Sequence, residues 1–151
     1  VYSMKAYKFL LLVFSIVLLT GCSSTKKSLT GDEFYQTLTK YEYSVKDTIS
    51  AYDYALSAYN AYKGDISVFF LKGKKKYDVE GIFISESQNL FTEVGDNYQK
   101  KLGSGKNWTS LRLTTDEKLY YISWIDDSYI IIKANTSDEA NVNKLINELG
   151  Y

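Results

Sequence analysis

The chain has 151 residues, with 18 Lys+Arg against 18 Asp+Glu, one Cys, no His and no Pro. That length fits one domain, and zero net charge argues against a nucleic-acid binder, whose affinity comes from counterion release at phosphates. The missing His removes the commonest general base and metal ligand, and a single Cys allows neither an intrachain disulfide nor a thiolate zinc cage.

Residues 1–22 read as an export segment rather than part of the fold. Lys5 and Lys8 form a short positive region, followed by eleven residues, Phe9 to Leu19, that are apolar except for Ser15. A bilayer span needs about 20 apolar residues, so this run suits a signal peptide better than an anchor helix. The first Met is Met4, so Val1 is expected to be an alternative start codon or an upstream extension. Leu19-Thr20-Gly21-Cys22 resembles a bacterial lipobox: an aliphatic residue, two small ones that admit the backbone to a signal peptidase, and the Cys that is modified. The resemblance implies cleavage after Gly21, a diacylglyceryl thioether on Cys22 and a fatty-acyl (palmitate-type) chain on its freed amine. Two acyl chains hold a protein on a bilayer where one does not, at about 0.8 kcal/mol per buried CH₂. The expected location is therefore the extracytoplasmic face of the cell membrane, with membrane lipid as the first partner. Cleavage removes Lys5 and Lys8 and leaves 16 Lys+Arg against 18 Asp+Glu.

Residues 22–30 are polar and aperiodic and read as a flexible tether ahead of one domain, 31–151. Lys26 and Lys27 lie beside the lipid, where each lysine favours anionic headgroups by about 1 kcal/mol; plain solvation explains them equally. Thr30 and Glu33 have the spacing of a capping box, and Phe34, Leu38 and Tyr41 give a helical apolar face ending near Tyr41. Tyr43–Lys46 alternates like a short strand. Residues 51–63 fit a helix through Tyr52, Ala55, Tyr59 and Tyr62, or a strand by alternation; a hairpin across Gly64 into the β-branched and aromatic run Ile66–Leu71 is preferred.

Lys72, Lys74, Lys75 and Lys76 form a basic turn, which an anionic partner would recognise or which merely discourages edge aggregation. Residues 77–91 weakly favour a helix through Val79, Ile82, Phe83, Leu90 and Phe91, with Gly81 and the Ile82-Phe83-Ile84 triplet against it. Gly103–Asn107 reads as a loop. Three strands follow, Trp108–Leu113, Leu119–Ile125 and Tyr129–Ala134, joined by polar turns into an antiparallel meander. In the middle one, Leu119, Tyr121, Ser123 and Ile125 oppose Tyr120, Ile122 and Trp124, which suits a strand covered on both faces. Thr136–Glu139 has a second capping-box spacing, followed by Val142, Leu145, Ile146 and Leu149 on one helical face and Gly150 as terminator. The expected fold is α+β: an antiparallel sheet with a C-terminal three-stranded meander, and N- and C-terminal helices packed mainly on one face.

From Phe34 onward the pattern resembles small uncharacterised surface lipoproteins of Gram-positive gut and oral bacteria. The matching features are Lys40-Tyr41-x-Tyr43-x-Val45, Asp126-Asp127-Ser128-Tyr129 and the closing Leu149-Gly150-Tyr151. The resemblance implies a location and a fold, and carries over no functional residue.

No catalytic motif emerges. Gly103-Ser104-Gly105-Lys106 lacks the upstream Gly and following Ser/Thr of a phosphate loop. Asp116-Glu117 and Asp126-Asp127 are adjacent pairs whose side chains diverge on turns, without the alternating oxygens of a calcium loop. Gly-x-Ser-x-Gly is absent, and Ser44/Lys46 and Ser104/Lys106 miss the Ser-x-x-Lys spacing. No cofactor, metal or nucleic acid is expected. The aromatic set Trp108, Tyr120, Trp124 and Tyr129 is the best candidate binding surface, although core packing is the expected role of most of these residues. A non-catalytic binding module at the cell surface, meeting a protein or cell-wall polymer, is the leading expectation. A cell-wall or surface hydrolase and a protective factor against a toxin or phage are the alternatives.

Overall fold

A computed structural model describes residues 24–151. Leu19, Thr20, Gly21 and Cys22, and the leader before them, lie outside the described residues. The elements are α1 (Gly31–Lys40), β1 (Ser44–Asp47), β2 (Ala55–Lys63), β3 (Ile66–Gly73), α2 (Lys76–Val94), β4 (Gln99–Ser104), β5 (Trp108–Thr114), β6 (Lys118–Ile125), β7 (Ser128–Asn135) and α3 (Glu139–Leu149). Short 3₁₀ turns precede β2 at Ile49–Ala51 and α3 at Thr136–Asp138. No helix among the described residues is long and apolar enough to cross a membrane.

All seven strands join one sheet in the order β1-β2-β3-β7-β6-β5-β4, and every neighbouring pair is antiparallel. Two meanders, β1–β3 and β4–β7, therefore meet where β3 pairs with β7. The expected α+β architecture is present, with the meander β5–β7 and the terminal helices together on one face.

On that face Phe34 and Leu38 of α1 and Val142, Leu145, Ile146 and Leu149 of α3 pack on Phe70, Leu119, Ile125, Ile130 and Ile132. Phe34 is fully buried and stacks on Phe70 with centroids 4.7 Å apart. The capping box of α1 forms as its spacing predicts: the Thr30 hydroxyl accepts from the Glu33 N–H at 3.2 Å and Glu33 accepts from the Thr30 N–H at 2.9 Å. Gly150 ends α3 in the left-handed conformation, φ 77°. Tyr151 then turns inward, and its hydroxyl donates to Ser128 Oγ at 2.6 Å.

The other face carries α2, with Ile49 and Tyr52 packed beside its core. This helix must travel from the end of β3, at mid-sheet, to β4 at the edge. Its 19 residues span about 28 Å, enough to cross β7, β6 and β5. Val79 and Leu90 are its fully buried contacts, meeting Leu71, Leu111, Leu113, Ile122 and Ile131 from the sheet. β6 is covered on both faces, as its two apolar edges require.

Two open readings resolve as preferred, and two local expectations change. Residues 51–63 resolve into a 3₁₀ turn and a strand, because pairing with β1 and β3 satisfies the backbone on both sides. Residues 76–94 are helix despite Gly81. Gly103 and Ser104 belong to the edge strand β4 rather than to a loop, paired with Ser110 and Thr109. The Thr136–Glu139 spacing makes no capping box: the chain enters α3 through a 3₁₀ turn, and the Thr136 hydroxyl donates instead to the Asp116 carbonyl at 2.8 Å.

Candidate functional site

α2 crosses the sheet obliquely, so the β2–β3–β7 side of its path stays open. There a cleft of about 720 Å³ opens between helix and sheet, within the usual range for small-ligand sites. Its floor is Phe69 and Leu71 of β3 with Tyr129 and Ile131 of β7. Its walls are Tyr52 and Tyr54, ahead of β2, and Tyr77, Asp78, Gly81, Ile82, Ser85 and Glu86 of α2. Gly81, Ser85 and Glu86, which α2 also turns this way, are small or polar and do not fill the gap against the sheet.

The rings meet at angles. Tyr54 and Tyr52 are 6.0 Å apart at 81°, Tyr52 and Phe69 5.4 Å at 43°, and Phe69 and Tyr129 6.2 Å at 62°. The first and last are edge contacts, which suit the aromatic quadrupole. Tyr129 is 1 % exposed, and its hydroxyl has no hydrogen-bond partner among the described residues. Burial pushes this phenol well above its ordinary range, and the Glu86 carboxylate pushes it further. It therefore remains a neutral hydroxyl, a donor awaiting an acceptor; leaving one unpaired costs about 1–3 kcal/mol. Nearby, Lys133 pairs with Glu93 at 2.9 Å, and the Tyr120 hydroxyl donates to the same carboxylate at 3.2 Å.

The structure divides the expected aromatic set. Tyr129 lines the cleft. Tyr120 is buried under α2 at 7 % exposure, and Trp124, partly buried, carries the Lys76 ammonium 5.2 Å above its ring. Trp108 is on the opposite face, among the core under α1 and α3. The four do not form one surface. Tyr52, Tyr54, Phe69 and Tyr77, which complete the site, went unrecognised in the sequence. Their spacing spreads over a turn, a strand and a helix, and only the high tyrosine content hinted at them.

The basic run is divided too. Lys72 lies within β3 and is half-buried, bonding Asp127 at 2.6 Å and Ser28 at 2.9 Å. It is a clamp, and its charge is spent internally. Lys74, Lys75 and Lys76 are exposed. The Lys74 ammonium donates to the Asp53 carbonyl at 2.7 Å and that of Lys75 to the Tyr77 hydroxyl at 3.1 Å.

The clamp belongs to a strap. Residues 24–30, expected to be a free tether, lie along the domain. The Ser24 carbonyl accepts from the Lys106 N–H at 2.9 Å. Lys26 exchanges two hydrogen bonds with the Asn107 side chain, at 3.0 and 2.7 Å, and its ammonium sits 4.2 Å over Trp108. Ser28 donates to Asp127 at 2.7 Å, and Leu29 is buried. Gly105 permits this close approach: a Cβ there would collide with the Ser24 carbonyl and the Trp108 indole nitrogen. Burial alone would raise the Asp127 carboxyl, but hydrogen bonds from Lys72 and Ser28 outweigh it and hold the group below its ordinary value.

A second groove, also about 720 Å³, lies beside α3 and is lined by Lys101, Arg112, Asn143 and Asn147 among others. Its central cation is occupied: Arg112 donates to Glu139 at 3.3 Å and to Asn143 at 2.6 Å. Among the described residues, no three His, Cys, Asp or Glu side chains are grouped to hold a metal ion.

No protein-family model matches the chain, and no curated protein matches it. Among solved structures, the crystal structure of a GTP binding regulator from Thermotoga maritima is similar in fold, with a TM-score of 0.50 and 13 % identity over 79 % of this chain and 86 % of that one. At that identity the likeness is one of fold alone.

Proposed function

We propose that the chain is a lipid-anchored module on the extracytoplasmic face of the cell membrane that binds a ligand without transforming it, and that the α2 cleft is its binding site. The anchor rests on the two lysines, the apolar run and the Leu19-Thr20-Gly21-Cys22 box. The binding reading is carried by one observation: an open aromatic cleft whose floor holds a buried, unpartnered tyrosine hydroxyl. Such a site favours a ligand with a flat apolar face, an aromatic ring or the underside of a sugar, and an acceptor oxygen within reach of Tyr129.

The test uses the full lipid-modified chain in nanodiscs, probed by saturation-transfer NMR with soluble aromatic fragments and N-acetylglucosamine oligomers. Gly81 faces open space, with nothing within 4 Å of a Cβ built there, so Gly81→Leu fills the cleft. Probes should give transfer with wild type and lose it with Gly81→Leu. Equal transfer to both would place binding elsewhere, and hydrolysis of the oligomers or of peptidoglycan would overturn the non-catalytic reading. For the anchor, a fatty-acid analogue fed to cells should label wild type and spare Cys22→Ala.

A further inference from the structure

The strap bonds, the Lys72 clamp and the strand registers bring the loops 24–30, 52–54, 72–76, 104–107 and 126–127 to one end of the sheet. Five lysines there are exposed, Lys27, Lys74, Lys75, Lys76 and Lys106, of which Lys27 pairs with Glu33 at 2.6 Å and Lys76 with Glu80 at 3.8 Å. The one exposed carboxylate in these loops is Asp53; Asp126 and Asp127 are spent on Asn107, Lys72 and Ser28. Tyr54 and Tyr77 stand beside the lysines, 40 % and 63 % exposed. The turns at the other end have the opposite sign: Glu42, Asp65, Asp96, Asp116 and Glu117 are exposed against Lys63 and Lys118.

The lysines are also badly placed for the fold. Lys74–Lys76 lead into the N-terminus of a 19-residue helix, and the N-cap Lys75 makes no side-chain capping bond. The helix dipole favours negative charge at that end. A cationic patch that costs local stability, flanked by exposed tyrosines, has the composition of a membrane interface, where Tyr sits at headgroup depth and Lys meets anionic lipid. The chain also emerges here. Ser24 is bonded to Lys106, and Cys22 stands two residues earlier, within about 7 Å of chain.

We propose that this lysine- and tyrosine-bearing end is a membrane-docking surface that seats on anionic lipid headgroups and turns the acidic end outward. The proposal rests on the reading that Cys22 is the lipid anchor: the anchor supplies proximity, and the lysines and tyrosines supply orientation. Each lysine near an anionic surface contributes about fivefold to the seated population, less at high salt.

The experiment reconstitutes the full lipid-modified chain in vesicles, with a polarity-sensitive thiol probe at Ser104→Cys in the docking end or at Glu117→Cys in the acidic end, both exposed positions. Vesicles are phosphatidylcholine alone or phosphatidylcholine with phosphatidylglycerol. The probe at 104 should brighten and shift to the blue several-fold more on phosphatidylglycerol, and the probe at 117 should read alike on both. Lys74→Glu/Lys75→Glu/Lys76→Glu should bring the 104 signal down to the phosphatidylcholine level while the protein still floats with the vesicles. Tyr77→Ser should weaken it part-way. A 104 signal indifferent to phosphatidylglycerol would overturn the docking surface, as would the same response to soluble polyglycerol phosphate on phosphatidylcholine vesicles. Failure of the anchor reads differently: Cys22 would be a free thiol, and each variant would take two probes instead of one.

Discussion

The two faces of this sheet are built to different standards. Under α1 and α3, helices with regular apolar faces cover the sheet, and Phe34, Leu38, Val142 and Leu145 are almost wholly inaccessible. Under α2, a longer helix buries two side chains fully and turns Gly81, Ser85 and Glu86 toward a gap. The first face holds the fold; the second gives up close packing for an aromatic cleft. A helix that must bridge mid-sheet to edge cannot lie flush on every strand it passes, and the space it leaves becomes available for binding.

The largest expected effect belongs to the closed face. Phe34→Ala empties a site stacked on Phe70 and Tyr59 and should cost about 3–5 kcal/mol in urea unfolding. A cost under about 1 kcal/mol would mean that α1 is peripheral to the core. Next comes the strap. Asp127→Ala removes the acceptor of both Lys72 and Ser28 and should cost about 1–3 kcal/mol, with faster proteolysis before Gly31.

The strap also sets an acid limit. Hydrogen bonding from Lys27, with the Thr30 N–H, holds Glu33 down to about 2 from its ordinary 4.5, and Asp127 is lowered from 3.8. A depressed carboxyl stabilises the fold above its unfolded value and loses that contribution as pH falls through the folded one. Stability should therefore fall from about pH 4.5 downward, and Glu33→Gln with Asp127→Asn should flatten the pH titration followed by circular dichroism. The smallest effect belongs to the open face, with reversed sign. Gly81→Ala adds a methyl to empty space and should raise stability by about 1 kcal/mol through helix propensity. A destabilisation would show that α2 fits the sheet more tightly than the cleft implies.

Local chemistry was legible wherever one segment contained its own reason. The Thr30/Glu33 box, the apolar spacing of Val142, Leu145, Ile146 and Leu149, the Gly150 stop and the two-sided apolar pattern of β6 are interactions within a few residues, and the chain alone determined them. The reading at Cys22 is likewise drawn from one short segment, but it lies outside the described residues and stands as a proposal. Residues 51–63 were ambiguous because tyrosine and alanine suit either period until β1 and β3 supply hydrogen-bond partners. β4 was invisible because Gln99–Ser104 has almost no apolar signal and becomes a strand only by pairing with β5. Only the tertiary structure decided that Lys72 is spent on Asp127, that residues 24–30 are strapped down, and that Trp108 parts company with Trp124. It alone gathered Tyr52, Tyr54, Phe69, Tyr77 and Tyr129 around one cleft. The physical reason is range: propensity, capping and periodicity act over one or two turns, whereas a binding site depends on which strands become neighbours and how a helix crosses them.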